Sequence, residues 1–292
     1  MHYDQLDVSP ATVRALVDTQ FPQWRDRPVS ALSTQGTVNA IFRLGDDLTA
    51  RFPLQPRPDT RAWLESEAAA AAELLGRTRF ATPAPVALGD PGPGYPLPWS
   101  VQTWLPGAVV TDQPLGDAFA RDLAEFITGI RSLDTRGRTF AGGGRGGDLK
   151  AHDDWMETCF DRSESLLDVP TLRRLWSHLR ELPRGNSPDA MTHGDLIPGN
   201  ILVSGDRLTG ILDVGGLGPA DPALDLVSGW HLLDATPRAT LRDELAPTDL
   251  EWQRGQAWAF IQAMGLVWYY DTTNLPMAET GRRTLARIVA AL

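Results

Sequence analysis

The stretch Thr192-His193-Gly194-Asp195-Leu196-Ile197-Pro198-Gly199-Asn200, followed by Ile211-Leu212-Asp213, constrains this chain more than any other. Ile201-Leu202-Val203 is a short apolar run, Ser204-Gly205-Asp206-Arg207 has turn chemistry, and Leu208 to Leu212 is a second apolar run. The segment therefore reads as a β-hairpin. With Val203 facing Leu208, Asn200 faces Ile211, and Asn200 and Asp213 meet at the open end. Two oxygen donors there can share a Mg²⁺, which favours oxygen ligands and keeps waters and phosphates in its shell. Asp195 lies on the loop leading into the first strand, near the same spot.

This order matches the pattern H-x-D-x-x-x-x-N with a downstream metal-binding Asp, the arrangement used in kinase-type phosphoryl transfer. A hairpin with incidental polar ends is the plain alternative. Four elements in order around one hairpin weigh against it.

Composition bounds the rest. A chain of 292 residues with 42% hydrophobic and 22% charged side chains suits one large domain or two lobes with a substantial core. No apolar run approaches the ~18 residues of a membrane span, and the first residues lack the pattern of a secretory signal. The single cysteine, Cys159, favours a reducing compartment. The expectation is a cytoplasmic protein, a monomer or weak dimer, without membrane association. A net charge of −10 argues against nucleic acid as partner. Residues 1–105 carry 9 basic and 11 acidic side chains and residues 106–292 carry 18 and 26, so the acidic C-terminal part would draw a cationic small molecule.

Along the chain, residues 9–20 read as a helix, with Ser9 as cap and Pro10 in the first turn. Val29 to Leu32, Ala40 to Leu44 and Leu48 to Phe52 read as strands, with a loop at Ser33 to Asn39 and a turn at Gly45-Asp46-Asp47. Glu65 to Leu75 is alanine-rich and helical. Pro83 to Pro98 is a strand broken by a loop, and Val101 to Leu105 a strand ended by Pro106-Gly107. Helices follow at 119–131, 154–167, 171–182, 222–233, 252–270 and 279–292. The expected class is α+β in two lobes: an N-terminal nucleotide-binding lobe at 1–105 and a helical C-terminal lobe at 106–292.

Together these landmarks resemble the aminoglycoside phosphotransferase family, with its macrolide phosphotransferase branch and protein-kinase-like bilobal fold. The likeness is carried by His193-Gly194-Asp195-Leu196 through Asn200, Ile211-Leu212-Asp213 and Asp221-Pro222-Ala223-Leu224-Asp225. It is carried less specifically by Arg43 to Leu48, Arg51-Phe52-Pro53 and Trp104-Leu105-Pro106-Gly107. The resemblance implies that Asp195 is the catalytic aspartate and that Asn200 and Asp213 hold Mg²⁺. ATP or GTP would be the phosphoryl donor, its base set against the backbone of Thr103 and Leu105 and its phosphates covered by the Gly36-Thr37-Val38-Asn39 loop. The implied activity is phosphorylation of an antibiotic hydroxyl, aminoglycoside or macrolide, conferring resistance. A metabolic kinase of a sugar, amino alcohol or nucleoside is the alternative within the fold, and a non-catalytic nucleotide-binding pseudokinase the alternative of another class.

The chain departs from the kinase pattern at its third strand, where a lysine would contact the phosphates. Lys150 is the only lysine of the chain, and the position is Arg51. Arg51 is expected to take that role paired with Glu67, with Glu65 as the second choice. His193 is expected to shape the loop, and Asp221 and Asp225 to be structural. Gly142 to Gly147 begins like a phosphate-binding loop, but Asp148 stands where that motif has lysine, so it reads as a flexible loop. Trp230, His231, Trp268, Tyr269 and Tyr270 are the candidates for the acceptor pocket. Asp153, Asp154, Glu157, Asp234 and Asp271 are candidates to meet an ammonium group.

Overall fold

The computed structural model describes residues 5–32, 38–111, 113–142 and 144–291. Helix α1 (Pro10–Gln20) starts as expected, the Ser9 hydroxyl accepting from the Thr12 N–H at 3.1 Å. It buries Val13, Leu16 and Val17 against an antiparallel five-stranded sheet. That sheet comprises β1 (Val29–Leu32), β2 (Asn39–Leu44), β3 (Leu48–Pro53), β4 (Pro85–Gly89) and β5 (Trp99–Thr103), ordered β1-β2-β3-β5-β4. Phe52 stacks on Trp99 with ring centroids 4.8 Å apart, fixing the centre of this core. Helix α2 (Thr60–Leu74) begins one turn earlier than its alanines suggest, because Thr60 bonds back to the Arg57 carbonyl at 2.7 Å and starts the turn itself.

Beyond the linking segment, β6 (Ala108–Val109) pairs with the hairpin β8 (Ile201–Ser204) and β9 (Arg207–Ile211), while β7 (Ala190–Thr192) pairs with β10 (Gly218–Ala220). Around them lie α3 (Asp117–Arg131), α4 (Asp153–Arg162), α5 (Val169–Leu179), α6 (Val227–Leu232), α7 (Ala235–Leu245), α8 (Asp249–Tyr270) and α9 (Leu275–Val289). Helix α7 was not expected from the sequence: Leu241 is its one buried residue, so no apolar stripe marks it. The helix expected over 222–233 opens as a tighter turn at Pro222–Leu226 before α6. Helix α8 is enclosed over most of its length, from Trp252 to Val267, and forms the axis of the C-terminal core. None of the helices described is long and apolar enough to cross a membrane.

The hairpin differs from its expected register by one residue. Val203 faces Leu208 as anticipated, but a bulge shifts the next pairs to Leu202–Gly210 and Ile201–Ile211. Asn200 consequently lies beyond Ile211, its carbonyl accepting the Leu212 N–H at 2.8 Å. The bulge moves Asn200 one step nearer Asp213 than a regular hairpin would.

Candidate active site

His193, Gly194 and Asp195 form a bend between β7 and β8 that is held by buried groups. Asp225, fully enclosed, accepts the N–H groups of His193 and Gly194, each at 2.9 Å. Burial pushes the Asp225 carboxyl above its ordinary range, and these two amides partly offset that. The His193 ring completes the bend, accepting the Asp195 N–H on Nδ1 at 3.2 Å and reaching the Leu212 carbonyl with Nε2 at 3.0 Å. The ring is therefore the neutral Nε2–H tautomer, a spacer between the Asp195 loop and the strand leading to Asp213.

Asp195 receives three side chains. Asn200 donates Nδ2–H to its Oδ2 at 3.0 Å and to its carbonyl at 2.9 Å. Arg145 and Gln262 meet its other oxygen, Oδ1, at 3.0 and 2.7 Å. Because the Asn200 amide nitrogen is spent on Asp195, its carbonyl oxygen is turned away and left to accept a ligand. Asp213 has a left-handed backbone, φ +55°, which aspartate tolerates better than most residues. Its Oδ1 takes Nη2 of Arg51 at 2.9 Å.

Arg51, largely covered, also faces Glu67 with Nη1 3.6 Å from Oε2. Glu65 instead faces Arg61 at 3.9 Å, so the helix register brings Glu67 to Arg51. Burial raises the Glu67 carboxyl, with Arg51 pulling it back down. Glu67 lies directly over Gly215, where a Cβ would come within 2.6 Å of its Cγ. The glycine after Asp213-Val214 is what lets α2 approach this closely.

Arg51, Asn200 and Asp213 line a cleft of about 460 Å³ between the sheet and the hairpin, and Asp195 is bonded to Asn200 beside it. Asn39, Ile41, Arg51, Gln102, Trp104 and Leu105 contribute from one side, and Ile197, Asn200, Leu202 and Asp213 from the other. Asn39 lines the cleft, and its buried Oδ1 has no partner among the described residues. Gly36 and Thr37 lie outside the described residues. The Thr103 N–H is taken by the Ala84 carbonyl at 2.9 Å, which leaves its carbonyl as the backbone group for a base, and the neighbouring Gln102 and Trp104 line the cleft. Arg43 stacks on Trp104, 4.5 Å from the ring centroid, and keeps it in place.

The acceptor candidates divide. Trp230 is 3% exposed, packed in the C-terminal core under the Arg238 guanidinium, so it offers no surface to a substrate. His231 is equally buried; it stands behind Gln262, Nε2 to Oε1 at 3.0 Å, and reaches Asp195 only through that amide. Trp268 points Nε1–H at the Cys159 sulfur, 3.3 Å away, an inward contact. Tyr269 is partly exposed and follows Gln262 by seven residues, two turns along the same face of α8. Tyr270 packs edge-on against it at 4.9 Å.

Two residues at Asp195 were not anticipated. Gln262 sits in an apolar run of α8, where a lone amide reads as incidental. Arg145 belongs to the glycine-rich segment read as flexible, yet that segment is tied down. The Gly146 carbonyl accepts the Asp221 N–H at 2.8 Å and the Gly147 carbonyl accepts from Arg254 at 3.0 Å.

A model of a phosphotransferase enzyme family matches residues 30–263. No curated protein matches the chain significantly. Among solved structures, a GDP complex of an aminoglycoside 2′-phosphotransferase-IIIa mutant is 20% identical, with a TM-score of 0.74 over 97% of this chain and 98% of that one. The GDP and kanamycin complex of APH(2″)-IIIa is likewise 20% identical, TM-score 0.70, covering 96% and 98%. Macrolide 2′-phosphotransferase MphH from Brachybacterium faecium is 17% identical, TM-score 0.62, covering 94% and 97%. At these identities the likeness shows a shared fold, the bilobal kinase-like one.

Proposed function

The chain belongs to the phosphotransferase enzyme family, and from that premise we propose that it moves the γ-phosphoryl group of ATP or GTP onto a hydroxyl of an antibiotic of the aminoglycoside or macrolide type. The nucleotide lobe is residues 1–105 and the acceptor lobe 106–292. The observation that carries this reading is that Arg51, Asn200 and Asp213 line one cleft, with Asp195 bonded to Asn200 beside it. Relatives of the same fold bind GDP and kanamycin, which lends the substrate classes their support.

Asp195 receives the acceptor's proton, held by Asn200 on one oxygen and Gln262 on the other. Arg51, backed by Glu67, supplies positive charge to the nucleotide phosphates. The Leu105 backbone and the Trp104 side chain bound the base, and Asn39 faces the phosphates from β2. The residues present also fit a Mg²⁺: the outward Asn200 carbonyl oxygen and the Asp213 carboxylate are two hard oxygen donors, enough for a cation that brings waters and phosphates with it. When bound, that ion neutralises charge on the transferring group. Positioning and charge neutralisation carry nearly all the catalysis in such transfers. A monomeric or weakly dimeric, cytoplasmic enzyme completes the reading.

The test is direct. The purified protein with Mg²⁺ and ATP or GTP is offered a panel of aminoglycosides, macrolides, sugars, amino alcohols and nucleosides, and the products are examined by mass spectrometry for an added phosphate. Transfer to an antibiotic that is lost in Asp195→Asn supports the proposal. Transfer only to sugars, amino alcohols or nucleosides would establish the metabolic kinase instead, and nucleotide binding without any transfer the pseudokinase.

A further inference from the structure

Resting on the phosphotransferase reading, the two oxygens of Asp195 separate the two sides of the reaction. Oδ2 is bonded to Asn200 and so faces the hairpin end where Asp213 lies. Oδ1, the oxygen that Asn200 leaves free, carries Arg145 and Gln262. Arg145 is thus a cation on the acceptor side.

Its placement is built into the fold. Gly146 has φ +116°, and a Cβ there would fall 2.8 Å from the Ala220 Cβ. A Cβ on Gly147 would fall 2.6 Å from the Phe140 ring. With their carbonyls tied to Asp221 and Arg254, these glycines press the segment onto the core and direct Arg145 at Asp195. One guanidinium nitrogen meets the carboxylate. The other, Nη1, is buried and has no partner among the described residues. A buried N–H without an acceptor is uncommon and calls for one.

The surrounding charge points the same way. The acidic side chains best placed by sequence to receive an ammonium are engaged by arginines: Asp153 by Arg180, Glu157 by Arg173, Asp234 by Arg287 and Asp271 by Arg282. Asp154 stands exposed on the first turn of α4. Behind Gln262, His231 is held neutral by burial. An ammonium brought to the Oδ1 side would face a guanidinium at close range, whereas a carbonyl, hydroxyl or carboxylate oxygen would satisfy Nη1.

We propose that Arg145 is the acceptor-selecting residue of this enzyme, taking an oxygen that flanks the reacting hydroxyl, so that the acceptor is neutral or acidic at that point rather than ammonium-bearing. This narrows the proposed substrates away from polycations.

The experiment uses the full chain loaded with Mg²⁺ and a non-hydrolysable nucleotide, with probes of matched shape: kanamycin and its fully N-acetylated derivative, and glucosamine, glucose and glucuronate. Binding is measured by calorimetry or saturation-transfer NMR. The wild type is expected to prefer the neutral or acidic member of each set by at least about tenfold. Arg145→Glu should reverse the order and Arg145→Ala abolish it, with Arg145→Lys and thermal unfolding controlling for fold. Tighter binding of the ammonium-bearing members by the wild type, an order unchanged in Arg145→Glu, or binding of no probe overturns the assignment. So does, when ATP or GTP replaces the analogue, a loss of turnover in Arg145→Ala that is equal for all acceptors at unchanged KM, which would place Arg145 on the phosphoryl group. If the same proteins, supplied with ATP or GTP in place of the analogue, bind the probes in the expected order yet phosphorylate none of them, the selection by Arg145 stands and the phosphotransferase reading fails.

Discussion

Gln262 donates its Nε2–H to Oδ1 of Asp195 at 2.7 Å while its Oε1 faces Nε2 of His231 at 3.0 Å. An amide can serve a carboxylate and an imidazole together in only one orientation, so His231 carries its proton on Nε2 and accepts on Nδ1. The Thr284 hydroxyl lies 2.8 Å from that Nδ1 and equally 2.8 Å from the Thr280 carbonyl, so its one hydrogen is shared between the two acceptors. Helices α9, α6 and α8 thereby hold one side of Asp195 through a single file of hydrogen bonds.

Replacing Gln262 by Leu removes the shorter of the two bonds to Oδ1, leaving that of Arg145, without touching the nucleotide cleft. The expected result is a fall in kcat on the order of 10- to 100-fold, as for other displacements of a reacting group, with the nucleotide KM unchanged. Steady-state kinetics with both substrates varied checks it. A rise in nucleotide KM at constant kcat would refute the positioning role.

Arg51 spans Glu67 and Asp213 with two different nitrogens, at 3.6 and 2.9 Å. Lysine keeps the charge but has one ammonium and no fork. Arg51→Lys should therefore raise the nucleotide KM by roughly tenfold, and Arg51→Ala should raise it further. Fluorescent-nucleotide titration gives the affinities directly; equal affinity in all three proteins would remove Arg51 from the phosphate site.

The hairpin was legible in sequence because alternation between apolar runs and turn residues is a local signal. The bulge that carries Asn200 to Leu212 was not, since one extra residue leaves the apolar pattern intact. The Arg51–Glu67 pairing was the first choice from the strand arginine and the helix acids, with Glu65 second, and the register of α2 decides for Glu67. Arg145 was hidden for a different reason. Glycines usually signal freedom, and here they permit close packing instead, a distinction made by distant partners such as Phe140, Ala220 and Arg254. Trp230 and His231 stood out as aromatic and polar neighbours on a helix, yet sequence spacing does not say whether a second helix covers them.

Arg254 and Asp221 are each 2% exposed and bonded at 2.7 Å, with Trp258 Nε1 also on the carboxylate at 3.0 Å. Removing the cation leaves a charge buried in the core. Arg254→Leu should destabilise the protein by about 3 kcal/mol, the lower end for breaking a buried pair, because Arg184 remains 3.5 Å from the same carboxylate. Adding Asp221→Asn should restore part of the loss, as the buried charge then disappears. Urea unfolding of the single and double variants tests both statements, and additive effects would contradict the pairing.

Acid stability follows from His231. Burial lowers its pKa from 6.5 to about 4, so between those values the unfolded chain takes up a proton that the folded one does not. Stability is then full above about pH 6.5 and declines as the pH falls towards 4, by at most about 3 kcal/mol from this residue. His152, also lowered chiefly by burial, adds a slope of the same sign. His231→Gln deletes only the first contribution, so the difference between the two unfolding profiles isolates it. The expected difference shrinks steadily from pH 7 to pH 4. A difference that is flat across this range would mean that the imidazole takes up its proton as readily in the folded protein as in the unfolded chain, so that burial does not hold it neutral.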